Sequence, residues 1–401
     1  MSVMQSLRYI LFEKGVLAFL LCISILPGRG FSQATQKKQI VPSEYRFLDL
    51  KGNGYQRGLT HGKTLKKEIA VIVASWKESV QERYQMSADS FIMSMVAHTK
   101  YLTDIKKWSP DLLDEIRGIA EGSGQPFNNI YMLQLMDEVW VTGKEAGMHH
   151  CTSIGAVINS EETITAQTMD IPSFYHVYPT VLKIRDEKGQ TETYMFTFPG
   201  SLGLTGMNRY GVSVNCNTLE QLDHSTTGLP VSFIIRGALK KRTYNEARDF
   251  LKQVKHASGQ NYIIGAPGEV ASFECSLNEV TVFYPFKTNE LTYHTNYPLV
   301  NKNLNKEYLL ALKENHRTIQ QGVNNCGRFI SLQKRFSSSS QKITIDDIKN
   351  ALSSKDDPED PIQNRSTYGS VIYMLNKKKP VCYISPGRSG ETGYLEFLFD
   401  R

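Results

Sequence analysis

Apolar positions recur at helical spacing through the first third of the chain and at strand spacing through most of the remainder. Leu65, Ile69, Ile72, Val73 and Trp76 share one face of a helix predicted over 65–82. The same period runs through 90–104. It returns over 110–122, where Ser109-Pro110 supplies a cap and a first-turn proline. Segments 127–136 and 137–142 continue the helical pattern. A short strand is predicted over 44–52, ahead of Gly58-Leu59-Thr60-His61-Gly62-Lys63.

After residue 150 the period shortens to two. Residues 151–158 alternate, Asn159-Ser160-Glu161-Glu162 has turn chemistry, and 163–169 returns as the partner strand. A second hairpin joins 177–184 to 191–198 through Asp186-Glu187-Lys188-Gly189, and Gly206 to Gly211 forms a turn before a strand over 212–219. Two helices fit 229–255, the second opening at Thr243 with Glu246 at capping-box spacing. Strands follow at 260–266, 270–275, 279–285 and 291–295, then helices at 304–317 and 345–352, with closing strands over 371–384 and 394–399. Antiparallel strands interleaved with helix pairs predict an α+β fold of helices layered on sheets. No internal repeat is present.

The 401 residues, 40% of them hydrophobic, suffice for a large core. A formal charge of +6 is thinly spread, with no basic block of the kind that binds nucleic acid; Lys377-Lys378-Lys379 reads as a solvated hairpin tip. Arg8 and Lys14 precede an apolar run over 15–26, bounded by Pro27-Gly28 and followed by Ser32-Gln33-Ala34. The run is short for a span of ~20 residues and fits a signal peptide over 1–33, with export as the expected fate and an uncleaved anchor as the alternative. The mature chain then holds Cys151, Cys216, Cys275, Cys326 and Cys382. An odd count flags one free thiol, while the other four pair or stay reduced. Without a CxxC or a zinc-type Cys/His spacing, no metal and no organic cofactor is expected.

The chemistry concentrates in Gly147-Met148-His149-His150-Cys151-Thr152-Ser153 and in Gln167-Thr168-Met169-Asp170. A thiol needs a base to become a nucleophile. If the bond between His150 and Cys151 breaks, Cys151 carries its own base, an α-amine with a solution pKa near ~8. The predicted hairpin brings Asp170, at the end of the returning strand, beside Cys151, where its carboxylate can hold that amine. Asp170 before Ile171-Pro172 also suits a plain strand end. A papain-like arrangement is disfavoured by the surroundings of Cys151, and a serine hydrolase by the lack of Gly-x-Ser-x-Gly.

With these residues in view the chain resembles the acyl-coenzyme A:6-aminopenicillanic acid acyltransferase family, and more distantly the choloylglycine hydrolases and penicillin V acylases. The marks are Gly58-x-x-His61-Gly62, Cys151-Thr152-Ser153, Gln167 to Asp170, Gly206-Met207-Asn208-x-x-Gly211, Asn217, Ala257-Ser258-Gly259-x-Asn261, Phe273-Glu274-Cys275 and His294-Thr295-Asn296. The resemblance implies a four-layer αββα N-terminal-nucleophile hydrolase made as a precursor. Cleavage between His150 and Cys151 would leave 34–150 and 151–401 associated as one body. It also implies an acyl-thioester on Cys151, an acyl amide as small-molecule substrate, and transfer to water or to an amine.

By position, Asp170 matches the carboxylate that orients the amine and Asn296 the asparagine beside the tetrahedral intermediate. Asn217 matches an oxyanion donor, with Asn215 as the alternative. Gln167 stands where the bile-salt enzymes carry an arginine, which favours the acyltransferase side. Arg365 is the nearest counterpart of their late arginine, and Asn364-Arg365-Ser366 also satisfies a glycosylation pattern. His61, Asn208 and Asn261 read as structural. The alternatives to turnover of simple amides are an inert binding or scaffold protein on the same frame and a hydrolase of lipid N-acyl amides.

Overall fold

The computed structural model describes residues 44–142, 151–189, 191–286, 288, 290–338 and 342–400; the expected signal segment and the His149-His150 pair lie outside the described residues. Strand β1 (Arg46–Leu50) leads into α1 (Gly54–Thr64), α2 (Lys66–Tyr84), α3 (Ala88–His98), α4 (Tyr101–Trp108), α5 (Pro110–Ser123), α6 (Phe127–Leu133) and α7 (Met136–Thr142). The helix expected over 90–104 is two helices. Thr99 is extended, and the Lys100 N–H leaves the helical path to bond the Thr226 carbonyl at 2.7 Å.

Helix α1 replaces what the sequence presents as an irregular glycine motif. Asn53 and Gln56 form a reciprocal capping box that starts it. Its glycines then permit a backbone contact no larger residue allows: a Cβ on Gly54, Gly58 or Gly62 would lie 1.9, 1.9 or 2.4 Å from the carbonyl oxygens of Asp111, Glu115 and Ile119 on α5. Beside this contact lies a buried ion cluster. Arg57 Nε and Nη2 donate to Glu115 Oε2 at 3.0 and 2.8 Å, and Arg236 Nη1 and Nη2 donate to Oε1 and Oε2 of the same carboxylate at 2.9 and 3.0 Å. His61 is buried as well, its Nε2 accepting the Gly200 N–H at 3.0 Å.

Past residue 150 come β2 (Thr152–Asn159), β3 (Glu162–Asp170), β4 (Thr180–Arg185), β5 (Glu192–Thr197), β6 (Thr205–Asn208) and β7 (Ser213–Thr218). Gly206 to Asn208, expected in a turn, is strand; the turn begins at Arg209. Asn208 accepts from the Tyr210 and Val212 N–H groups and donates to the Leu239 and Lys241 carbonyls, a structural hub. Helices α8 (Val231–Ala238) and α9 (Tyr244–Gln253) follow. Thr243 caps α9, but Glu246 reaches back to the Arg242 N–H, so the expected capping box is half made. Next are β8 (Gln260–Ala266), β9 (Glu269–Cys275), β10 (Val280–Phe283), β11 (Leu291–His294), α10 (Lys306–Glu314), α11 (Ile319–Asn324), α12 (Gly327–Arg335), α13 (Ile345–Leu352), β12 (Thr367–Asn376), β13 (Val381–Ser385) and β14 (Leu395–Leu398). Helices α11 and α12 were not expected.

The strands form two sheets, β1-β4-β5-β6-β7-β8-β9-β10 and β11-β2-β3-β12-β13-β14, antiparallel throughout except for the β1·β4 pair. Every residue of β5, β7 and β8 is buried, so these strands are covered on both faces. Helices α2 to α9 share one core with the first sheet. On the far side, Ile154, Ala156, Ile164 and Ala166 pack with Phe329, Leu332, Ile348 and Leu352 of α12 and α13 in a second core. The order is therefore helices, sheet, sheet, helices: a four-layer αββα body of α+β class.

Candidate active site

The β2·β3 hairpin fixes the first pair of site residues. Thr152 pairs with Thr168, which sets Cys151 beside the end of β3. Cys151 is buried, and its Sγ donates weakly to the Asp170 carbonyl oxygen at 3.9 Å. Burial and the neighbouring Asp170 charge push the thiol up to about 12, so it is protonated at neutral pH. The Asp170 carboxyl is itself pushed up to about 7, chiefly by burial, against the opposing influence of Thr367, Arg328 and Asn364. Its Oδ2 accepts from Asn364 Nδ2 at 2.5 Å, while the buried Oδ1 has no hydrogen-bond partner. An acid that titrates near neutrality, with one oxygen unclaimed, is suited to move a proton. The Asn364 amide is thus committed inward, which argues against the glycosylation reading.

A residue the sequence reading did not single out completes the site. Arg328, near the start of α12, is 2% exposed. Its Nη1 lies 2.8 Å from the Cys151 carbonyl oxygen, 3.3 Å from Thr152 Oγ1 and 3.2 Å from Asn296 Oδ1, and its Nε donates to Asp360 Oδ1 at 2.8 Å. Asn296 in turn donates from Nδ2 to the Thr218 carbonyl at 3.0 Å. The arginine therefore ties the head of β2, the segment after β11 and the loop holding Asp360 to one cation. Arg365 is exposed. The available sequence signal was the spacing of Phe329, Leu332 and Phe336, which places a short amphipathic helix directly after Arg328.

Asn217 lies between the sheets. Its Oδ1 accepts from Ser153 Oγ and from Asn261 Nδ2 at 3.1 Å, and its Nδ2 is a buried donor without a partner. Asn215, the alternative, already donates to Thr205 Oγ1 at 3.1 Å. Gln167 is structural. Its Oε1 accepts the Cys216 N–H at 3.0 Å and its Nε2 donates to the Cys216 carbonyl at 2.5 Å. Strand β6 pairs with β7 only through Val214 and Ser213, so beyond its end the Gln167 amide takes the place of a neighbouring strand. All five described cysteines are free thiols.

Cys151 and Asp170 open onto a small cavity of about 30 Å³, shared with Asp137, Cys216 and Thr218; Asn217 is one residue away from that lining. Such a volume holds about one water molecule.

The model of the acyl-coenzyme A:6-aminopenicillanic acid acyl-transferase family matches residues 159–374. The chain belongs to this family. A relative from Emericella nidulans, the 40 kDa form of acyl-coenzyme A:6-aminopenicillanic-acid-acyltransferase, is 25% identical over 249 residues, which make up 62% of either chain. This chain thus matches less than two thirds of that relative's length. Among solved structures, a mutant conjugated bile acid hydrolase from Clostridium perfringens aligns at 12% identity over 63% of this chain and 97% of its own, with a TM-score of 0.37. Penicillin V acylase from Agrobacterium tumefaciens aligns at 13% over 58% and 82%, with a TM-score of 0.34.

Proposed function

We propose that the protein is a self-processing cysteine amidohydrolase or acyltransferase acting on linear acyl amides. The observation that carries this reading is the buried Cys151 thiol beside an Asp170 carboxyl with an unclaimed oxygen, under the Arg328 cation. In the intact chain Asp170, close to half ionised at neutral pH, takes the thiol proton. The sulfur attacks the His150 carbonyl, the peptide nitrogen leaves as the α-amine of Cys151, and water hydrolyses the resulting thioester. That amine then becomes the base for turnover, held by Asp170 Oδ1. The thiolate attacks a substrate amide, the amine product departs with the proton, and the acyl-thioester passes to water or to a second amine.

Arg328 and Asn296 hold the Cys151 backbone in register during both steps. Asn217 Nδ2 is the donor nominated for the oxyanion, where such a group contributes about 3 kcal/mol. Family membership supports acyl transfer or amide hydrolysis in general, and the apolar run over 15–26 supports export. The test is intact mass under denaturing conditions for the wild type and for Cys151→Ala. Two fragments meeting at His150 and Cys151 in the wild type alone are expected; an unbroken wild-type chain overturns self-processing.

A further inference from the structure

Self-cleavage as proposed leaves two proton transfers without a residue: the Cys151 nitrogen must gain a proton to leave, and the water that opens the thioester must lose one. Asp137, on α7, is buried in the wall of the cavity that it shares with Cys151 and Asp170. Both side-chain donors that reach its carboxyl fall on Oδ1, from Thr218 Oγ1 and from Gln260 Nε2 at 3.3 Å. They occupy the acceptor sites of Oδ1, so a proton on this carboxyl resides on Oδ2, the oxygen that neither donor reaches. Burial raises the carboxyl and favours that protonated form, since no Lys, Arg or His among the described residues is bonded to it. The titratable groups that face it are Glu138 on its own helix, Cys151 and Asp170 in the cavity wall, Cys216, Tyr175 and Tyr262, none of them a cation. Arg328, the cation of the site, is committed to Asp360, Asn296 and the Cys151 carbonyl.

Two carboxyls in one cavity wall, held in different surroundings, can divide the work of proton donor and proton acceptor. We propose that Asp137 is a second catalytic carboxyl of self-cleavage, general acid to the Cys151 nitrogen and then general base to the hydrolytic water. This role rests on Cys151 being the residue that attacks the His150 carbonyl. As the bond from Cys151 Sγ to the His150 carbonyl carbon forms, Asp170 takes the thiol proton. As the C–N bond breaks, Asp137 Oδ2 gives its proton to the nitrogen, so the amine leaves neutral and Asp137 is left ionised. A water in the cavity then passes a proton to Asp137 while its oxygen bonds the thioester carbon. The C–S bond breaks and Asp170 returns its proton to the sulfur. Both carboxyls end as they began, and the products are the carboxyl group of His150 and the α-amine of Cys151. The cavity of about 30 Å³ has room for the one water that the second step consumes.

The test uses the full-length chain freshly made by cell-free synthesis, moved into buffers from mild acid to mild alkali and followed by intact mass. The wild-type rate is expected to rise through about 7 as Asp170 ionises and to fall again in alkali as Asp137 loses its proton. Asp137→Asn keeps the shape and an acceptor for Thr218 and Gln260 but cannot give up a proton. It should cleave about a hundredfold more slowly at neutral pH, and its rate should no longer fall in alkali. Cleavage of the variant at the wild-type rate overturns the proposal. So does a slowed variant that keeps the alkaline fall, which would make Asp137 a positioning residue acting through Thr218 and Asn296. If the variant fails to fold, the wild-type profile decides alone, and a rate that stays level in alkali overturns the proposal. A wild type that stays uncut at every pH overturns the underlying reading and the proposal with it, whereas a cut wild type beside an unaffected variant overturns the proposal alone.

Discussion

Arg328 Nη1 and the Cys151 carbonyl oxygen lie 2.8 Å apart, joining the helix layer outside the second sheet to the first residue of the proposed catalytic chain. A guanidinium can hold this carbonyl, Thr152, Asn296 and Asp360 together because its donors are fixed in a plane.

Arg328→Lys should therefore fail to rescue. A lysine brings one compact charge and cannot span these partners, and loss of a buried charge-assisted contact costs about 3 kcal/mol, on the order of a hundredfold in cleavage rate. Intact mass followed over time would show the slowing. Cleavage at the wild-type rate by Arg328→Lys would remove the arginine from the mechanism.

The Asp170 carboxyl predicts the pH dependence of processing. Raised to about 7, it is protonated and unable to act as a base in mild acid, so the rate of self-cleavage should rise with pH through about 7. Asp170→Asn should abolish cleavage at every pH. It should also raise the melting temperature above pH 7: a carboxyl whose folded pKa lies above its unfolded value loses stability as pH rises through the folded pKa. Unchanged cleavage in Asp170→Asn would exclude the role.

The ion cluster around Glu115 should make the fold acid-sensitive. Burial alone would raise this carboxyl, but Arg236 and Arg57 overcome it and hold it down at about 2. The resulting stability is present above the unfolded value of 4.5 and is lost as pH falls towards 2. His61, lowered by burial to about 4, acts with the same sign between pH 6.5 and 4, because only the unfolded chain takes up its proton there. Glu115→Gln leaves the buried Arg236 without the carboxylate that faces it and Arg57 with Asp111 at 3.6 Å, and should cost about 3–5 kcal/mol at pH 7. Denaturant titrations at pH 7 and pH 4 would measure it.

Gly58→Ala should destabilise by about 3 kcal/mol or more, since its methyl group would fall 1.9 Å from the Glu115 carbonyl oxygen and no side chain is there to yield. Gly189→Ala, with nothing within 4 Å but a positive φ of 63°, should cost only about 1 kcal/mol. Equal melting temperatures for the two variants would contradict the close approach of α1 and α5.

The β2·β3 hairpin was legible because its period, turn and register all agree, and that agreement alone placed Asp170 beside Cys151. Sequence reasoning lost α1 because glycines at every fourth position look like turn residues until a second helix is found to need them. It lost α12 for the opposite reason. Gly327 sits at its start, Cys326 offers no side-chain cap, and an arginine is by default a surface residue, so nothing local marked Arg328 as buried. Gln167 was read as an arginine missing, whereas its amide completes the hydrogen bonding of β7, a role visible only once β6 is seen to stop short.

Glu115 and Arg57 precede residue 150 and Arg236 follows it, so a chain cut before Cys151 would keep a buried charge cluster with members on both pieces. Dilution would not part them, because the interface is the interior of the body. Full denaturation would, and refolding of the processed protein would then be a bimolecular reaction whose half-time shortens as concentration rises. The uncut Cys151→Ala chain would refold at a rate independent of concentration.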